Sequence, residues 1–193
     1  MPGTTATPTV LTDAGYLFWA PLATSIPTNT VVGSVFTDSW AGPWVSLGAT
    51  EDGTEFSYEL SVEAISVAEF LDPIKYVTTG RTGSLAFNLT NYSLANLAKA
   101  MNGSAPTVVS GSGATTLSRL RPPTPGTEVR CMLGWESLDN TVRFVAYQAL
   151  SSGAIASAFK KAPAFAVVPF SFNFEVPVSG IPFEFYSAGT ARG

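Results

Sequence analysis

Residues able to do chemistry are scarce in this chain. Its 193 residues include no His and one Cys, Cys131. That removes the usual zinc, copper and haem ligand sets, any Ser-His-Asp or Cys-His engine, and any disulfide within the chain. Ser157 and Lys160 fit S-x-x-K, in which a lysine activates a serine nucleophile, but the companion S-D-N and K-T-G elements are missing. Glu51 and Asp52 are adjacent carboxylates of the kind that act as general acid and base, yet followed by Gly53 they read as a solvated turn. No GxxxxGK[ST] loop is present, and Gly111-Ser112-Gly113 lacks the strand-to-helix setting of a phosphate cradle. The chain is therefore expected to have no catalytic residue, no cofactor and no metal. Cys131 alternates with core-type residues and reads as a small buried hydrophobe.

Charge carries more information. There are 14 acidic and 10 basic residues, a net charge of −4, and charged residues make up 12% of the chain, against about 25% in an average soluble domain. So bland an exterior points to a surface covered by partners. The acids are also segregated. Asp13, Asp38, Glu51, Asp52, Glu55, Glu59, Glu63, Glu69 and Asp72 precede the first basic residue, Lys75. The two halves either pair inside one fold or meet head to tail between copies, and in the second case Arg119, Arg121, Lys160 and Lys161 are the candidate partners of the glutamates. An acidic chain with scattered lysines and arginines is a poor nucleic-acid binder. With no basic residue before Lys75, no secretory leader is expected. The uncharged stretch 14–37 contains Pro21, Pro27 and Asn29, so it reads as strand plus loop and no membrane is crossed.

The elements that must position these residues are mostly strands. Phe56, Tyr58, Leu60 and Val62 alternate with Glu55, Ser57, Glu59, Ser61 and Glu63, which places acids on one face and apolar groups on the other. Leu85, Phe87 and Leu89 alternate likewise, as do Val129 to Trp135 and Phe170 to Val178, and Asp139-Asn140 reads as the turn of a hairpin. Leu94, Leu97, Ala98 and Met101 follow helical spacing, with Asn91 or Thr90 as N-cap and Gly103 as stop; this predicts one helix over about 91–102 whose Leu94, Leu97 and Met101 pack on a sheet. Residues 1–193 read as one domain with one core.

The order of Gly15 to Leu22 (GYLFWAPL), Trp44 to Phe56 (WVSLGATEDGTEF), Leu71 to Arg81 (LDPIKYVTTGR) and Leu94 to Gly103 (LANLAKAMNG), followed by aromatic strands from Phe170 to Phe185, resembles the major tail (tail tube) proteins of long, non-contractile-tailed phages, above all those infecting actinobacteria. The resemblance covers most of the chain except 103–127. It implies a mainly β fold, a β-sandwich or half-barrel flanked by one helix. It also implies a structural virion protein, made in the host cytoplasm, whose hexameric rings stack into a conduit for DNA ejection. The implied partners are further copies of itself, a tape measure protein, a tail terminator and a distal tail protein, with DNA passing through unbound. A long loop or hairpin, here around 49–76 with Glu51, Asp52, Glu69 and Asp72, would reach the adjacent ring. The lumen of such a tube is electronegative, since acidic walls repel phosphate. Glu55, Glu59 and Glu63 would supply that wall in part, with Ser84, Ala86, Asn88 and Thr90 as a second, uncharged face. The same glutamates serve the interface reading equally well.

Two other classes stay open on the residues alone. Another virion structural protein, such as a distal tail or decoration protein, would share the bland surface. A non-catalytic carbohydrate-binding β-sandwich would expose Trp19, Trp40, Trp44 or Trp135 as sugar platforms.

Overall fold

Period-two alternation becomes hydrogen-bonded pairing along almost the whole chain. The computed structural model describes residues 15–66, 72–156 and 166–189. Its first strands are β1 (Gly15–Pro21), β2 (Val31–Val32), β3 (Val35–Phe36) and β4 (Val45–Gly48). Two long strands follow, β5 (Thr50–Ile65) and β6 (Lys75–Leu89), then helix α1 (Leu94–Ala100). After the short strands β7 (Thr107–Ser110) and β8 (Leu117–Arg119) come β9 (Cys131–Ser137), β10 (Val142–Ser151), β11 (Val168–Phe174) and β12 (Phe183–Ser187). One antiparallel sheet runs in the order β4-β1-β9-β10-β11-β6-β5, with β12 also on β10; β2–β3 and β7–β8 form separate two-stranded ribbons.

Register sets the core. Leu17 faces Trp135, Trp135 faces Phe144 and Phe144 faces Phe185 in one row across four strands. Leu85 faces Phe172 and Phe87 faces Phe170 at the other end of the same face. The sheet also curls. The ring of Phe56 on edge strand β5 lies 5.5 Å from Phe144 and 5.1 Å from Phe185, residues of strands that are not its neighbours in the sheet. The inner face thus closes on itself, and Leu17, Leu133, Phe144, Phe170 and Phe172 are buried there. This is the mainly β fold, a sandwich or half-barrel with one flanking helix, that the resemblance implies. Cys131 belongs to the same core, and burial pushes its thiol up to about 12.

The helix differs in detail from its expected form. Ser93, not Asn91 or Thr90, is the N-cap, its side chain accepting the Asn96 N–H. Asn102, at φ 53°, takes the left-handed stop instead of Gly103; the Asn102 N–H bonds Lys99 O and the Gly103 N–H bonds Ala98 O, a Schellman closure. The apolar stripe is rotated as well. Leu97 packs on the core beside buried Ala100, and Met101 is half-buried, but Leu94 is exposed. The inward position belongs to Asn96, whose amide donates to the Leu47 and Asn91 carbonyls. A two-turn helix with one large side chain inward needs only small residues around it.

The outer face is covered near β1 and β9 by the loop from 22 to 44, where Ala20, Trp44, Met132 and Val145 form a second cluster. Arg143 secures that loop. Its Nε and Nη2 donate to Glu136 Oε1 at 3.0 and 2.9 Å, Nη1 donates to Asp38 Oδ1 at 3.0 Å and to Asn29 Oδ1, and Nη2 also reaches the Asp38 carbonyl. The guanidinium stacks 4.5 Å from the Phe36 ring, and Trp40 Nε1 donates to Glu136. A planar fork of donors fits this ring of acceptors as an ammonium would not. For Asp38, desolvation is the largest single influence and raises its pKa. The Asn29 amide and the hydrogen bond and charge of Arg143 together outweigh it and hold the carboxyl below its ordinary value.

Two outcomes follow from this cluster. Arg143→Met should lose about 3–5 kcal/mol in urea titrations, because it leaves Glu136 buried without its cation. Asp38 has a folded pKa below its unfolded value. Its contribution is therefore present above about pH 4 and is lost as pH falls through the folded pKa. Asp38→Asn should flatten the decline in thermal midpoint over that acid range.

Candidate functional site

The β5–β6 hairpin is longer than the sheet that anchors it. β11 pairs with β6 from Val168↔Leu89 to Asn173↔Ser84. β5 and β6 continue together from Tyr58↔Gly83 to Ile65↔Lys75, and among the described residues no third strand joins them there. At about 3.3 Å per residue, the stretch from Tyr58 to Ile65 reaches about 26 Å. The expected loop around 49–76 is thus one limb of an arm, whose other limb is continuous with the core strand holding Leu85, Phe87 and Leu89.

Alternation explains why the arm stays unpartnered. On the face continuous with the core, Tyr58, Leu60, Val62 and Tyr76 are 47, 49, 53 and 64% exposed. The opposite face carries Glu59 across from Thr82 and Glu63 across from Val77. Phe56 packs on Phe144, Phe174, Phe183 and Phe185, and Tyr58, the next ring of the apolar row, still meets Phe183 with ring centroids 5.9 Å apart. An isolated two-stranded ribbon is marginal in water, and a contiguous apolar row on it marks a contact surface.

The three glutamates do not share one setting. Glu55 lies opposite Ala86, which pairs with Ser171, so it sits on the three-stranded body among Ser57, Ser84, Asn88 and Asn173. The acidic face and the small-residue face expected from sequence are therefore one surface there, from which Thr90, beyond the end of β6, is set apart. Glu59 and Glu63 belong to the arm. Glu51 and Asp52 are exposed at an irregularity of register between Thr50 and Thr54, where Gly53 at φ 85° supplies the left-handed residue. Asp52 and Glu55 border an open hollow of about 340 Å³ with Asn88 and Phe170. Asp72 is exposed near the end of the arm; Glu69, Ser157, Lys160 and Lys161 lie outside the described residues.

Charge pairing within the fold is slight. Among the described residues the ion pairs are Arg143 with Asp38 and Glu136, and Arg130 with Glu175. Of the early acids described, Asp38 is used in this way, and Glu51, Asp52, Glu55, Glu59, Glu63 and Asp72 have no basic partner among the described residues. Arg119 and Arg121 are exposed, on and just after the β7–β8 ribbon, and have no acidic partner.

None of the four tryptophans is fully exposed. Trp44 is buried and donates to the Ser25 carbonyl, and Trp40 is half-buried, stacked on Phe18 at 4.7 Å. Trp19 is half-buried with Lys99 Nζ 5.4 Å from its ring centroid, and half-buried Trp135 borders a hollow of about 300 Å³ with Phe56 and Phe185.

No family model matches the chain, and no curated protein matches it in sequence. Among solved structures it is similar to a chain in the cryo-EM structure of the anti-feeding prophage (AFP) baseplate, 6-fold symmetrised, at 8% identity and a TM-score of 0.38, over 94% of this chain and 97% of that one.

Because the arm lies outside the core, its removal should spare the fold. Replacing residues 60–81 by Asn-Gly joins Glu59 to Thr82, which already face each other, through a two-residue turn. The shortened protein should unfold in urea within about 0.5 kcal/mol of the full chain, the range of ordinary surface changes.

Proposed function

We propose that this protein is a structural subunit of a phage tail tube, a chain whose copies assemble into stacked hexameric rings through which DNA is ejected. The observation that carries the reading is the arm, a ribbon about 26 Å long whose apolar face is largely exposed and whose acids have no ion-pair partner among the described residues. A monomer gains nothing from such an element; an assembly uses it to reach the next subunit. The resemblance of the chain's ordered segments to major tail proteins supports the same reading and supplies the ring and the lumen.

Within it, the body surface around Glu55, Ser57, Ser84, Ala86 and Asn88 suits a lumen wall, because small polar groups and repeated negative charge give a sliding duplex nothing to bind. The arm suits ring-to-ring contact. Tape measure, terminator and distal tail proteins would be the heterologous partners, and the function needs no catalytic group.

Negative-stain microscopy and sedimentation of the purified chain at high concentration test this directly. Rings or tubes of uniform diameter are expected. A monomer at every concentration, including after addition of tail-tip components, would contradict it. The arm-shortened variant should remain folded and form no tubes.

A further inference from the structure

We infer that the acidic face of the β5–β6 arm docks on the β7–β8 ribbon of a second copy of this chain. The inference rests on the self-assembly reading above and names the surface that the arm meets.

The β7–β8 ribbon is the other place where this fold sends strands away from its body. The ribbon leaves the chain between α1 and β9, and it is hydrogen-bonded to no other strand. Its residues are small or apolar and open to solvent: Val108 is 63% exposed, and Val109 and Leu117 are comparably bare. Pairing places Thr107 opposite Arg119, and a register irregularity sets Val109 beside the Ser110↔Leu117 pair. Leu117 and Arg119, two residues apart on one strand, share a face. That face therefore offers the exposed Leu117 side chain with a cation beside it, and Arg121 follows just beyond.

The acidic face of the arm is its complement. Glu59 and Glu63 project from one strand, while Val77 opposite Glu63 and Ile65 near the described end of the arm add exposed apolar surface. Both sets of charges lack partners inside the chain, among the described residues. Neither ribbon can bury its own surface, since two strands have no third layer.

Size argues for many such contacts rather than one. A ribbon face about 26 Å by 10 Å covers about 260 Å², well under the roughly 800 Å² per partner of a stable binary complex. The contact joins different surfaces on the two copies, so it is heterologous and propagates or closes into a ring, where weak contacts add up. Opposed charges then select the register in which copies meet.

A charge exchange in the full-length chain tests this. Arg119→Glu with Arg121→Glu, and separately Glu59→Arg with Glu63→Arg, should each raise the concentration needed for assembly by about tenfold or more in sedimentation and microscopy. The four changes together should return it to within about threefold of the unaltered chain, as expected of residues that meet. All four substituted positions are exposed, so circular dichroism and the thermal midpoint should be unchanged in every variant. The contact is overturned if the arginine reversal assembles like the unaltered chain, or if the combined variant assembles no better than its parents; self-assembly itself then stands. An unaltered chain that never associates overturns both.

Discussion

β11 follows β6 as far as the Asn173↔Ser84 pair and then turns toward Glu175, whose N–H bonds the Gln148 carbonyl. That length mismatch governs the rest of the molecule. On the paired side of it, Leu85, Phe87 and Leu89 face Phe172, Phe170 and Val168 and are buried, so the sheet gains one covered face. On the unpaired side the same two strands keep their hydrogen bonds to each other, and past Tyr58, which still meets Phe183, their side chains are exposed. Phe56 sits at the boundary, and its ring contacts pull the curled edge of the sheet onto β10 and β12. Exposure of the arm is thus a consequence of strand lengths and not of composition, because the apolar alternation is equally strong on both sides.

That is also why the sequence could be read only so far. Alternation along 55–63 showed a strand with acids on one side, and Asp139-Asn140 showed the β9–β10 turn, which the structure places with Asn140 at φ 54°. Both depend on neighbouring residues. Whether Leu60 lies in a core depends on where β11 ends, more than a hundred positions later, and no local pattern records that. The helix shows the same limit on a smaller scale. Its existence followed from spacing, but its rotation was set by Asn96, a polar residue drawn inward by the carbonyls of Leu47 and Asn91, which helical spacing of apolar residues does not register. Arg143 was counted as one cation in a basic half; only the meeting of β9, β10 and the 28–38 loop made it the buried centre of the outer face.

The two kinds of charge in this fold behave oppositely. Arg143 is enclosed, its donors satisfied by Glu136 and Asp38, and salt has little access to it. Glu59, Glu63, Arg119 and Arg121 stand in solvent, where a Debye length of about 8 Å at physiological ionic strength screens them. Stability of the subunit and cohesion between subunits should therefore respond differently to salt, the first weakly and the second strongly.

The order of strands has a consequence for how the chain acquires its shape. β5 and β6 are consecutive in the chain, with nine residues between them, so their pairing closes a small loop and forms early. β1 lies beside β9, with Leu17 against Trp135, and cannot complete its row until most of the chain has left the ribosome. The arm is thus finished while the body that carries it is still open, and its bare apolar side is present from the first moments of synthesis. If copies gather as proposed, that gathering has to wait until each ribbon has a closed sheet to stand on.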